Sequence, residues 1–341
     1  MRHPLPLFLL AAMLVVPRAH AQEGPGTTGA NFLKIGVGAR QVAMGEAVVG
    51  IADDVNSMFY NPAGLGMLTR KEVSVMHNSY IEGLRQEVGA MAFPTRHFGT
   101  LGLGLNMLKV EEFDSYDTLD QKVGSIDAQD MAANVSYAIE IGRLRRVSVG
   151  GTARFLRSRL DTYTASATMF DIGILARYGL EGAYEKRYRL GASVRNLGQD
   201  QKFIGQPFKL PQSLHVGGSR DAPLPHPFED MRNIISLEMV VPNDDIPYVA
   251  TGLELRIVKE FAIRVGYRTG QDLGFGLTVG FGFTSLHRGF VPKWVPEVSM
   301  DYALVDYGLL EQAHRIGFSM RFGSDKYMLD EFDSLFDPTQ D

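Results

Sequence analysis

From about Glu72 to Phe322 apolar residues alternate with small or polar ones at a period of two. That period sends successive side chains to opposite faces of a strand. The run Leu273 to Thr284 shows it best. Phe275, Leu277, Val279, Phe281 and Phe283 share one parity, and Gly274, Gly276, Thr278, Gly280, Gly282 and Thr284 share the other. The same split sets Leu101, Leu103, Leu105 and Met107 against Gly102, Gly104 and Asn106, and Phe261, Ile263, Val265 and Tyr267 against Ala262, Arg264, Gly266 and Arg268. Segments of this kind predict strands at 72-80, 86-94, 98-109, 129-141, 145-157, 165-178, 187-197, 211-220, 233-242, 248-258, 261-269, 273-285, 296-306 and 314-322.

The number is even, and the lengths suit a bilayer crossing. In a soluble sandwich the outward face usually carries Lys, Glu and Thr, whereas here the second parity is largely glycine. The pattern therefore predicts an all-β fold, a 14-stranded antiparallel transmembrane outer-membrane β-barrel, with a soluble barrel or sandwich as the alternative. An even number places the start of the first strand and the end of the last on one side. Long connections, Val110 to Ala128 and Gly198 to Leu210, then lie opposite, and tight links such as Gly142-Arg143 and Lys259-Glu260 lie on the terminal side. Asp221 to Arg232 and Leu286 to Val295 are longer terminal-side exceptions. In Arg315 to Phe322 a polar residue, Gly317, and then Met320 and Phe322 fit the terminal-strand pattern that barrel-assembly machinery reads.

The flanks read differently. Arg2 and His3, the apolar stretch Leu5 to Val16, and Ala19-His20-Ala21 before Gln22 make residues 1-21 a cleaved secretory signal peptide. Residues 22-71 form a separate amino-terminal segment, 72-322 the barrel, and 323-341 an acidic tail with six acids and one lysine. The tail reads as periplasmic, either disordered or holding one short helix around Met328 to Phe336. Both termini are then expected on the periplasmic side.

Composition narrows the chemistry. The 341 residues carry 34 basic and 39 acidic side chains, and this mildly acidic balance argues against nucleic acid. There is no cysteine, so no thiolate or disulfide chemistry is available. His77, His97, His215, His226, His287 and His314 lack metal-ligand spacing, so neither a metal nor a cofactor is expected. No Gly-x-Ser-x-Gly elbow occurs, and the glycine repeats lack the setting of a phosphate loop. A non-enzymatic protein is the expectation. Trp294, Phe290 and Tyr302 stand where an interfacial aromatic girdle would lie.

The inner parity collects charge. Arg154, Arg177, Arg189, Arg195, Arg256, Arg264, Arg268, Arg315 and Arg321 oppose Glu140, Asp171, Glu254 and Asp301. A charge facing lipid at mid-depth would cost about 2 to 4 kcal/mol, so these point inward. Such a basic lumen could bind a carboxylate head group or an acidic peptide, or simply pair with carboxylates of the amino-terminal segment. In that segment Pro62 fixes φ, Gly36, Gly38 and Gly45 permit close backbone, and Asn61 can make a local turn. Asp53 and Asp54 could cap the following turn, Val55 to Tyr60, or meet lumenal arginines. The segment reads as a plug inside the barrel, or else as a peripheral cap.

Phe32 to Arg40, Ala43-Met44-Gly45, Ala52-Asp53-Asp54 and Asn61-Pro62-Ala63-Gly64-Leu65 resemble the amino-terminal region of the PorV/PorQ family. The likeness continues through Gly191 to Gly198, Asp301 to Val305 and His314-Arg315. These are outer-membrane barrels related to the FadL fatty-acid transporters, whose inner hatch carries an Asn-Pro-Ala element. The resemblance implies a hatch centred on Asp53, Asp54 and Asn61 to Gly64. It also implies a role in type IX protein secretion, with outer-membrane lipid and secretion proteins or cargo as partners. The alternative is a FadL-like channel for long-chain fatty acids or other hydrophobic molecules.

Overall fold

The computed structural model describes residues 26–111, 113–116, 118–142, 146–180, 186–203, 205–228, 231–258, 260–270, 274–285 and 296–323. The predicted leader and its cleavage at Gln22, the whole link Leu286 to Val295 with Phe290 and Trp294, and the tail beyond Gly323 lie outside them.

Fourteen strands close into one antiparallel barrel. In chain order its wall is β1 (Lys71–Ser79), β2 (Arg85–Pro94), β3 (Thr100–Lys109), β6 (Ala128–Ile141), β7 (Val147–Leu160), β8 (Tyr163–Leu180) and β9 (Lys186–Gly198). It continues through β12 (Ser213–Pro223), β13 (Arg232–Pro242), β14 (Tyr248–Val258), β15 (Phe261–Arg268), β16 (Leu277–Thr284), β17 (Glu297–Asp306) and β18 (Gln312–Phe322). Pairing of β1 with β18, Lys71 opposite Phe322 through Ser79 opposite His314, removes the free edges. No helix among the described residues is long and apolar enough to cross a membrane.

Each predicted wall strand is present, with three differences. The run from Leu273 starts late: Gly274 and Gly276 both have positive φ, +75° and +70°, so extended pairing begins only at Leu277. Both long connections hold small hairpins of their own, β4 (Phe113–Tyr116) with β5 (Lys122–Ile126), and β10 (Gln201–Phe203) with β11 (Gln206–Phe208). These strands are too short to show two-faced alternation, and Gln201 of β10 is buried although polar. The link after β12 shortens to Leu224 to Met231, because Asp221 to Pro223 pair with Ile234 to Arg232.

Parity divides outside from inside. Leu277, Val279, Phe281 and Phe283 face outward and are exposed, as are Leu101, Leu103, Ile172 and Ile174. The inward parity meets an amino-terminal hatch, which lies within the barrel. The hatch comprises a 3₁₀ turn at Asn31–Lys34, one short α-helix at Ala39–Ala43, and 3₁₀ turns at Val55–Phe59 and Pro62–Met67. Val55, Met58, Ala63 and Leu65 are fully buried within it.

The inward glycines are explained by this packing. A β-carbon at Gly150 would stand 2.6 Å from the Pro62 carbonyl carbon, one at Gly252 2.6 Å from the Met44 carbonyl oxygen, and one at Gly102 2.8 Å from Leu65 Cδ1. Each is closer than van der Waals contact allows, so these strands are bare where hatch backbone lies against them.

The first described residues of the hatch lie away from the end where β1 starts. The first strand starts and the last ends at one end, here the terminal end. Thr28, however, bridges to Lys209 and hydrogen-bonds Asp244, both in connections at the opposite, loop end. The segment therefore begins at the loop end and runs through the barrel before β1.

Candidate functional site

The Asn61 side chain is fully buried at the join of hatch and wall. Its Oδ1 accepts from the Ala63 amide at 3.2 Å and caps the Pro62–Met67 turn, while Nδ2 donates to the carbonyls of Val49 at 2.9 Å and Ile174 at 3.1 Å. Pro62 occupies the first position of that turn, where its missing N–H costs nothing. Ser148 Oγ on β7 donates to the Ala63 carbonyl at 2.7 Å. Gly64 is required by crowding inside the hatch, since a β-carbon there would meet Ala52 Cβ at 2.6 Å. The Asn-Pro-Ala-Gly element is thus a backbone joint between hatch and wall.

Asp53 and Asp54 take different roles. Asp54 Oδ1 accepts from the Asn56 amide at 3.0 Å as cap of the Val55–Phe59 turn, and its Oδ2 accepts from Gln41 Nε2 at 2.6 Å. Asp53 pairs with Arg189 of β9 at 3.1 Å and with Arg40 of the hatch helix at 2.6 Å. Arg40 also donates through Nε to Glu254 of β14 at 2.8 Å. Glu254 in turn accepts from Arg256 at 2.7 Å and from Arg264 at 2.7 Å, and Arg264 reaches Asp301 at 2.7 Å. One ion network therefore runs from the hatch across β9, β14, β15 and β17.

Burial raises the proton affinity of both hatch carboxyls, but only one ends higher. At Asp53 the Arg40 and Arg189 guanidiniums outweigh burial and hold its carboxyl well below the usual carboxylate range. At Asp54 burial prevails over Arg40, helped by the neighbouring Asp53 charge, and its carboxyl is pushed up.

The remaining members of the predicted charge cluster sit apart. Arg154 is buried with Asp171 at 2.7 Å and the side chains of Asn134 and Asn196. A bulge between β8 and β9 gives Asn196 a φ of +59° and turns it inward beside Arg195, which strict alternation would not allow. Arg177 meets Glu140 at 2.9 Å. Arg268 lies over the Tyr248 ring at 4.4 Å, and Arg321 meets Glu72 at 3.1 Å. Arg315 is buried against Tyr80 and Tyr307.

Sequence reasoning overstated the basic surplus. Glu72, Asp221 and Glu238 also point inward and are buried, and their parity was legible on β1, β12 and β13. Arg40 gave no signal, because the irregular hatch has no period from which to read a face.

Arg195 Nε donates to His215 Nε2 at 2.9 Å, and His215 Nδ1 faces Glu238 Oε1 at 2.7 Å. Ser213 Oγ is also 2.9 Å from Nε2, which gives the spacing of a hydrolase triad. The guanidinium, however, already donates into the Nε2 lone pair, so this imidazole is not free to take a serine proton. Glu238 Oε2 accepts from the Val49 amide of the hatch at 2.8 Å, which makes the chain of groups another hatch support.

The hatch divides the lumen. A cavity of about 80 Å³ lies toward the loop end and is lined in part by Arg154, Arg195, Arg268, Asn106 and Asn134. A second of about 350 Å³ lies toward the terminal end, lined in part by Arg40, Glu72, Arg256, Arg264 and Asp301. Both are open in part, and both mix charged side chains with apolar ones, Leu33 and Val240 in the first and Met76 and Phe261 in the second.

Residues 18–243 match the family model described as type IX secretion system protein PorV. Among solved structures the chain is similar to the Ralstonia pickettii toluene transporter TbuX, at 12% identity over 84% of this chain and 99% of that chain, with a TM-score of 0.54. It is also similar to the CymD monoaromatic hydrocarbon channel, at 12% identity over 86% and 99% of the two chains, with a TM-score of 0.50. At such identities these likenesses show the fold alone. A comparison with curated proteins gives no match.

Proposed function

We propose, from the premise that this chain belongs to the type IX secretion system protein PorV family, that it is a non-enzymatic outer-membrane component of protein export. In this reading it works as a sealed barrel whose loops meet other proteins, and no solute moves through its lumen. The carrying observation is the hatch. Its core is fully buried, it is tied to the wall through Asn61, Arg40 and Glu238, and it separates two cavities of mixed charged and apolar lining. A path for hydrophobic molecules would have to cross the buried hatch and pass the guanidiniums and carboxylates that stand beside apolar side chains in both cavities.

In the same reading residues 1-21 are a cleaved leader, the terminal end faces the periplasm, and the loop end faces outward. The longer connections with their hairpins then lie outside, as in other outer-membrane barrels. The partners are secretion proteins or their cargo. The test is removal of the gene from a host with a type IX system. Export of cargo should stop and return with the full chain, and undiminished export after removal would refute the proposal.

A further inference from the structure

The last wall strand ends beside a cavity. β18 finishes at Phe322, and Gly317, Ser319 and Arg321 of that strand line the terminal-end cavity. Gly323, the last described residue, has a φ of +81°, so the chain turns out of the strand direction there. Eighteen residues follow, Ser324 to Asp341, with six acids against Lys326. Fully extended they reach about 60 Å. A segment tethered at the rim meets the cavity at an effective concentration in the millimolar range, so weak contacts suffice to seat it.

Charge differs between the two ends of the barrel. With their small hairpins included, the connections of the loop end carry thirteen Asp or Glu and three Lys or Arg, whereas those of the terminal end carry five and seven. Arg70 and Lys71, where β1 starts, add two further bases to the terminal end. An acidic segment is repelled by the first end and drawn to the second.

Within the cavity the count is even and the placement is not. Among the described residues five arginines and five carboxylates line it. The carboxylates are withdrawn. Glu72 and Asp54 are buried, Glu260 is partly buried, and Glu297 and Asp301 each keep 18% of the side chain exposed. Arg40 and Arg264 are held inward with them by Glu254. Arg232, Arg256 and Arg321 instead keep 30%, 39% and 35% of their side chains exposed. Each is positioned by inner carboxylates, Arg232 by Asp221 at 2.9 Å, Arg256 by Glu254 at 2.7 Å, and Arg321 by Glu72 at 3.1 Å and Glu297 at 3.5 Å. The accessible charge of the cavity is therefore mostly guanidinium, a group suited to carboxylates.

We propose that the acidic tail, Ser324 to Asp341, folds back over the terminal end of its own barrel and sets its carboxylates against Arg232, Arg256 and Arg321, closing the terminal-end cavity. The tail is thereby a built-in competitor for any acidic segment of another protein that would enter there. The proposal stands apart from the secretion reading, since it needs only the barrel, its cavity and the tail.

The test uses the full chain in detergent with one cysteine on each side of the contact, Ser334→Cys in the tail and Ser299→Cys in the cavity lining, and no other thiol. Under mild oxidation at low salt the two should join within one molecule, at least about tenfold faster than Ser334→Cys joins Thr162→Cys at the loop end. Salt at about 1 M, which screens charges beyond about 3 Å, should slow the first pair severalfold. Neutralising the tail with Asp330→Asn, Glu331→Gln, Asp333→Asn should slow it too. The same neutralised chain should bind a labelled peptide of residues 324–341 that the native chain excludes. Heat-modifiable migration reports that each variant keeps its barrel. Equal rates for the two cysteine pairs, or a rate indifferent to salt and to tail charge, would overturn the proposal. Disulfides formed only between molecules would overturn it as well.

Discussion

Arg40 Nε of the hatch helix lies 2.8 Å from Glu254 Oε2 of β14, and the same guanidinium meets Asp53 through Nη1 at 2.6 Å. One side chain thereby joins a wall strand to the turn of the hatch that precedes Asn61. Burial alone would depress the Arg40 proton affinity, yet Asp53, Glu254 and Asp54 raise it well above its ordinary value, so the guanidinium stays charged.

Arg40→Ala should therefore release the hatch more than the wall. It leaves Glu254 with Arg256 and Arg264 and Asp53 with Arg189, so the loss falls below the roughly 3 to 5 kcal/mol of an uncompensated buried charge but removes the one guanidinium that ties hatch helix to wall. Amide exchange over residues 39–68 should quicken while the strands stay protected. Arg40→Lys should recover only part of the loss, because lysine keeps the charge without the fork. Equal exchange in all three proteins would contradict the latch.

Gly150→Ala tests the bare floor. The added methyl meets the Pro62 backbone at 2.6 Å, with no flexible side chain to yield, and overpacking of this kind costs about 1 to 3 kcal/mol. Gly89→Ala is the control, since a β-carbon there has nothing within 4 Å. Limited proteolysis within the hatch should increase for the first variant and not for the second.

The hatch carboxylates set an acid response of opposite signs. Asp53 is held below its unfolded value of about 3.9, so its stabilisation is complete above that pH and is lost as pH falls through the folded value. Asp54 is raised, so protonating it on the way down removes repulsion from Asp53 and stabilises slightly. Hatch protection should hold or rise a little on mild acidification and fall only below about pH 4. Asp53→Asn should weaken the hatch at pH 7 and reduce the acid loss, read by exchange at several pH values.

Register is open to a chemical test in a cysteine-free chain. Cysteine in place of Leu277, Val279 or Phe281 should react from the lipid phase, whereas cysteine at Arg189, Arg195, Arg264 or Glu254 should react, if at all, from water in the lumen. A shift of one residue would exchange the two sets. Equal labelling from both phases would reject the pairing of β16 with β15 and β17.

The wall was legible because lipid imposes a strict period on its outer face, so Leu277, Val279 and Phe281 announced their side without any tertiary knowledge. Where backbone leaves extended geometry the reading failed, at Gly274 and Gly276 through positive φ and at Asn196 through a bulge. The inward glycines were visible as an anomaly, but their cause lay in contacts with Pro62 and Met44 that are far away in sequence. Asp53 and Asn61 were singled out from local chemistry and resemblance. Arg40, which joins most of the carboxylates around them, could be found only in three dimensions.

A locked hatch tests the sealed-barrel account most directly. A β-carbon at Gly317 of β18 would lie 3.6 Å from Ala39 Cβ of the hatch helix, within the range that a disulfide spans. The pair Ala39→Cys, Gly317→Cys would staple helix to wall with no other thiol to compete. Cargo export should be measured in a type IX host carrying only this variant, with the pair oxidised and then reduced. The account predicts the same export in both states, because export does not pass through this lumen. Export that stops on oxidation and resumes on reduction would show that the hatch must move, and would contradict it.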